Sequence, residues 1–96
     1  MRQSAALETR RAAVRDAVAR RRAANPRVFG SVLHGTDRED SDLDLLVDAL
    51  PNTTLVDLGG LQEDLQDLLG VRVDVRTPED LPIKFRARVV AEAEAV

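Results

Sequence analysis

Apolar and polar positions along the chain form a few periodic stretches divided by polar breaks, and the period changes from one stretch to the next. From about Ala5 to Arg22 the chain is rich in alanine and arginine, with Leu7, Val14 and Val18 spaced for one face of a helix. Arg11 interrupts that stripe, so the helix depends on docking. Asn25-Pro26 is expected to end it, because the residue before a proline avoids helical geometry. Arg27 to Phe29 then reads as a short strand, and Gly30-Ser31 as a turn from strand into a short helix. Thr36 to Ser41 is a hydrophilic loop, and Leu43 to Val47 a central strand. Thr54, with Asp57 three residues on, caps a helix that reaches Leu69 and carries the stripe Leu58, Leu61, Leu65, Leu68 and Leu69. Gly59 and Gly60 cost that helix about 1 kcal/mol each, which predicts an irregular or closely packed first turn. Gly70 closes the helix. Val71 to Arg76 alternates strictly, with three valines inward and Arg72, Asp74 and Arg76 on the other face of a strand. After a turn at Thr77 to Asp80, Ile83 to Val96 reads as a final helix with Phe85, Val89, Val90 and Ala93 available for packing.

A helix between two strands makes those strands parallel neighbours. The expected fold is therefore α/β (α+β), a small mixed sheet with helices packed on one face. The expected organisation is one domain over residues 1–96, with a basic N-terminal helix (1–24), a core (28–76) and a C-terminal helix (82–96). A chain of 96 residues buries roughly 60–65% of its extended surface, enough for one modest core.

Composition narrows the chemistry. The only aromatics are Phe29 and Phe85, so no platform exists for stacking the bases of a single-stranded nucleic acid. The absence of cysteine excludes a disulfide, thiol catalysis and a thiolate zinc site, and His34 alone cannot build a zinc site. No apolar run approaches membrane-spanning length, and the first residues lack the apolar stretch of a signal peptide, so a cytoplasmic protein is expected.

Charge is polarised. The first 27 residues hold eight arginines against Glu8 and Asp16, a net of +6, which leaves −9 for the rest of a chain whose total is −3. The basic helix is read as solvated or facing a partner protein, because the acidic remainder would repel a nucleic-acid backbone.

The candidate chemistry lies between Gly30 and Val47. On a strand Asp42 and Asp44 project to one side while Leu43, Leu45 and Val47 project to the other. Two carboxylates about 6.6 Å apart along a strand repel each other unless a cation sits between them, and a hard ion such as Mg²⁺ suits them. A calcium loop fails on sequence: counted from Asp37, the sixth position is Asp42 instead of glycine and the twelfth is Asp48 instead of glutamate. The crossover carries Asp74 to the same sheet face. As an alternative, Asp74 faces solvent, paired with its flanking arginines.

Gly30-Ser31, ten intervening residues, then Asp42-Leu43-Asp44 and Leu45-Leu46-Val47 resembles the signature of the nucleotidyltransferase superfamily that includes DNA polymerase beta, and its short members, the minimal nucleotidyltransferases. The resemblance implies a polymerase beta-like fold and transfer of AMP or another nucleoside monophosphate from ATP or another nucleoside triphosphate. It implies Asp42, Asp44 and Asp74 as catalytic residues and ligands of two Mg²⁺ ions, and Gly30, Ser31, Gly35 and Ser41 at the nucleotide. His34 lies where many such proteins carry a basic side chain, though an exposed loop histidine is the simpler reading; for Lys84 and Arg86, ordinary surface charge is simpler than phosphate contact. The implied partner is a HEPN-type toxin, with this chain as its antitoxin adenylylating a toxin tyrosine; nucleic acid and membrane are not expected partners. A module that neutralises its partner by occlusion alone is the alternative of another class. Mutually repelling carboxylates argue against it.

Overall fold

The computed structural model describes residues 3–30, 32–35 and 42–96. Two N-terminal helices, α1 (Gln3–Thr9) and α2 (Arg11–Arg20), stand where one was expected. The Thr9 hydroxyl donates to the carbonyls of Ala5 and Ala6 at 3.4 and 3.2 Å, and the chain breaks at Arg10. Side-chain bonding of this kind competes with the helical ladder. The break leaves Leu7, Val14 and Val18 all buried.

Asn25-Pro26 does not end a helix. That helix has already stopped at Arg20, and the pair lies inside β1 (Ala23–Phe29), where Asn25 is left-handed (φ 53°) and the register slips between Ala24 and Arg27. A bulge is where a strand tolerates a residue with no N–H to give. Arg27 and Asn25 both reach Asp48 there, at 2.6 and 3.2 Å.

β2 (Leu43–Ala49) is the central strand, antiparallel to β1 and parallel to β3 (Val73–Arg76), as the intervening helix requires. That helix, α3 (Leu55–Leu69), opens on a reciprocal cap between Thr54 and Asp57 and closes on left-handed Gly70 (φ 69°). These amide and hydroxyl bonds hold the Asp57 carboxyl below its usual range. Leu61, Leu65 and Leu69 are buried, with Leu58 and Leu68 at the margin. Gly60 lies under the Arg21 guanidinium, which binds Asp64 at 2.7 Å, so one of the paired glycines is closely packed while Gly59 faces open space. Gln62 and Gln66 accept the outward amides of Val75 and Val73 at 3.1 Å each. The edge strand β3 is thereby closed to further pairing.

The expected last helix is shorter. α4 (Ile83–Glu92) follows a 3-10 turn (Pro78–Asp80), and the chain then returns as β4 (Glu94–Ala95) beside β1, giving the sheet order β3-β2-β1-β4. Arg11 and Arg15 donate to the carbonyls of Ala95 and Val96 at 3.3 and 3.2 Å, so part of the basic helix holds β4 in place. The main core joins α1, α2 and α3 to one sheet face through Val28, Leu43, Leu45, Val47 and Val73. Leu46 faces the other way and is nevertheless fully buried, where the 3-10 turn packs on β2. The carboxylate face is thus apolar two residues beyond Asp44. Among the described residues no helix is long and apolar enough to cross a membrane.

Candidate active site

The parallel register sets Asp44 directly beside Asp74, and the antiparallel one sets Phe29 on its other flank. Adjacent strands lie about 4.8 Å apart, and paired residues share a face, so the two carboxylates are lateral neighbours. Asp42 joins them from just ahead of β2. Asp44 is half-buried, and its pKa is pushed up to about 6, first by burial, then by Asp74 and Asp42, against a downward pull from Arg76.

Gly30 explains the burial. Its backbone (φ 75°) lies so close to Asp44 that a methyl group there would overlap Oδ2 and come within 3.2 Å of Cγ. Only glycine combines that left-handed conformation with that approach. From Gly30 the chain turns back, with the His34 amide on the Gly30 carbonyl at 3.2 Å and the Gly35 amide on the Val32 carbonyl at 3.3 Å. Residues 32–35 are turns, not the short helix expected. Gly35 is left-handed (φ 69°) with open space around it, so the bend and not a close contact requires glycine there. Ser31 and Ser41, the two hydroxyls placed at the nucleotide, lie outside the described residues, as does the loop expected from Thr36 to Ser41.

Two arginines occupy the carboxylates. Arg72 Nε meets Asp42 Oδ1 at 3.0 Å, and Arg76 Nε meets Asp74 Oδ2 at 2.9 Å. Asp74 is thus paired with a flanking arginine and also stands beside Asp44. The carboxylate oxygens of Asp42, Asp44 and Asp74 are hard donors of the kind a divalent cation such as Mg²⁺ takes. Among the described residues, however, no group of three or more acidic or other ligating side chains is arranged to hold a metal. The Arg76–Asp74 pair is among those the flanking arginines predict, whereas the reach of Arg72 to Asp42 is not among the expectations.

Outside the cluster, His34 is exposed and meets Glu92 of α4 at 3.6 Å. Arg86 is structural, donating to the Glu79 and Leu81 carbonyls at 3.1 Å each, while Lys84 stands over the Phe85 ring.

Residues 12–95 match the nucleotidyltransferase domain profile. The protein adenylyltransferase MntA of Thermococcus cleftensis is 48% identical over 65 residues, which are 68% of this chain and 66% of that relative. A solved structure provisionally named a minimal nucleotidyltransferase is 45% identical and superposes with a TM-score of 0.83 over 97% of this chain and 93% of its own. A toxin–antitoxin crystal structure with AMP-PNP shares the fold at a TM-score of 0.66 and 20% identity, over 84% of this chain and 70% of its own. Glycine against aspartate, the paired strands behind them and the profile across nearly the whole chain agree, and the chain belongs to the nucleotidyltransferase domain family.

Proposed function

We propose that this protein moves AMP, or another nucleoside monophosphate, from a nucleoside triphosphate to a hydroxyl on a partner protein, with Mg²⁺ as cofactor, and acts as the antitoxin partner of a HEPN-type toxin. The observation that carries this reading is Gly30 pressed against Asp44 with Asp74 in register: carboxylates from two strands gathered under the turn that follows β1. The name of the Thermococcus relative, a protein adenylyltransferase, supports the acceptor class.

In this reading Gly30, Gly35, Ser31 and Ser41 hold the triphosphate. The acceptor oxygen attacks the α-phosphorus, the bond to the β-phosphate oxygen breaks, and its electron pair leaves with pyrophosphate. The hydroxyl proton passes to Asp74, whose carboxylate Arg76 orients from 2.9 Å. Asp42, Asp44 and Asp74 would hold the Mg²⁺, which when bound would neutralise phosphate charge and acidify the hydroxyl. Arg72 and Arg76 balance the carboxylates otherwise.

Incubation with alpha-labelled ATP and the co-expressed partner tests it. Label is expected on the partner with the wild type and none with Asp42→Asn/Asp44→Asn; undiminished label from the double variant refutes transfer at this site. Occlusion is kept as a second reading because arginines already neutralise Asp42 and Asp74. Equal protection of cells by wild type and double variant favours it.

A further inference from the structure

Helix α4 is the least embedded helix of the fold. None of its residues is buried; Ile83 is 83% exposed and Phe85 41%. Arg86, Val89 and Val90 are partly covered, so its inner face is defined, and at 100° per residue Lys84, Ala87, Arg88 and Ala91 form the outer face, all exposed. Ile83 and Phe85 flank that face. Lys84 Nζ and Arg88 Cζ lie 5.7 and 5.4 Å from the Phe85 ring centre, and neither cation makes an ion pair among the described residues. Ten residues of such sequence are marginal as a free helix in water.

The two ends of α4 attach beside the acids. It begins where the 3-10 turn leaves β3, and its last residue, Glu92, meets His34 in the turn that starts at Gly30. A segment lying along α4 thus runs between the turn that leaves β3 and the turn that follows Gly30, the elements that carry or adjoin Asp74 and Asp44.

We infer that the outer face of α4 is the docking surface for the acceptor, and that its occupant is an acidic segment of the partner protein carrying an aromatic side chain. The inference rests on the transfer reading above for what the docked segment presents. Charge complementarity gives the acidic character: Lys84 and Arg88, without an ion pair among the described residues, stand together on one exposed face beside Phe85. The aromatic partner follows from Phe85, whose exposed ring already carries the cations and can extend the stack. Ala87 and Ala91 let a second backbone approach between them.

A fluorescent random glutamate–tyrosine copolymer is the probe, with binding followed by anisotropy. Lys84→Glu/Arg88→Glu is expected to weaken binding about tenfold or more, and Lys84→Gln/Arg88→Gln by less. Arg10→Glu/Arg20→Glu, exposed at the two ends of α2 with the same change in charge, is expected to stay within about twofold. Phe85→Ala is expected to weaken binding about threefold. Equal losses in the two reversal variants, no loss at Lys84/Arg88, or a Phe85→Ala protein that binds as wild type would overturn the assignment. So would tighter binding of an oligouridylate lost with the same pair, which would make the face a nucleic-acid site. Transfer is scored separately by the labelled-ATP assay: a wild type that binds copolymer through Lys84 and Arg88 but labels nothing sinks transfer alone, and label with indifferent binding sinks docking alone.

Discussion

At the scale of single residues, Asp44 sits where function and stability oppose each other. Its carboxyl is half-buried under Gly30 and beside Asp74, and is pushed up to about 6. The folded state therefore holds that proton more tightly than the unfolded chain, whose value is 3.8. By linkage, Asp44 costs nothing below pH 4, and its cost grows as pH rises through 6. Asp44→Asn is expected to be as stable as wild type at pH 3.5 and more stable by about 1–2 kcal/mol at pH 7.5, after allowance for solvent screening. Urea denaturation at the two pH values measures this; equal stability at pH 7.5 would contradict the burial argument. The identity of Asp44 as a candidate was legible from its place after the Gly-Ser pair. Its contact with Gly30 was not, because nothing in a sequence gives the distance across a turn.

At the scale of elements, α3 was the most legible, since its cap, its leucine stripe and its closing glycine are all local signals. Its two internal glycines were read together, and the structure separates them. Gly59→Ala adds a methyl in open space and is expected to stabilise by about 0.5–1 kcal/mol. Gly60→Ala must displace the Arg21 guanidinium from Asp64, so the gain is expected to be smaller or absent, and to return in an Arg21→Ala background. Thermal melts of the four proteins form a double-mutant cycle in which an additive result would contradict this coupling. The Asn-Pro step is a stop signal for a helix and is also what a bulged strand contains, and only pairing with β2 distinguishes the two. The C-terminal helix was read four residues too long for the same reason: β4 exists by virtue of β1 and of the arginines that hold its carbonyls.

At the scale of the whole molecule, stability is uneven. α3 fills the core and seals the β3 edge, whereas α4 has no fully buried residue. Hydrogen exchange is expected to show α4 amides opening at least about 100-fold more readily than those of Leu61 to Leu69, with the difference reduced when a partner covers α4. Comparable protection in the two helices would contradict the packing described. The sequence by itself determined the periods of most elements, the parallel pairing of β2 and β3 through their helical crossover, and the three acids with the glycine before them. These are local or nearest-neighbour properties, written in spacing and cap chemistry. The juxtaposition of Asp74 with Asp44 follows from that crossover; tertiary structure alone decided that Gly30 seals Asp44, that Arg72 reaches Asp42, and that α4 is left without a buried residue. Each of those depends on register and on distance between residues remote in sequence, which the chain acquires only when its strands have paired.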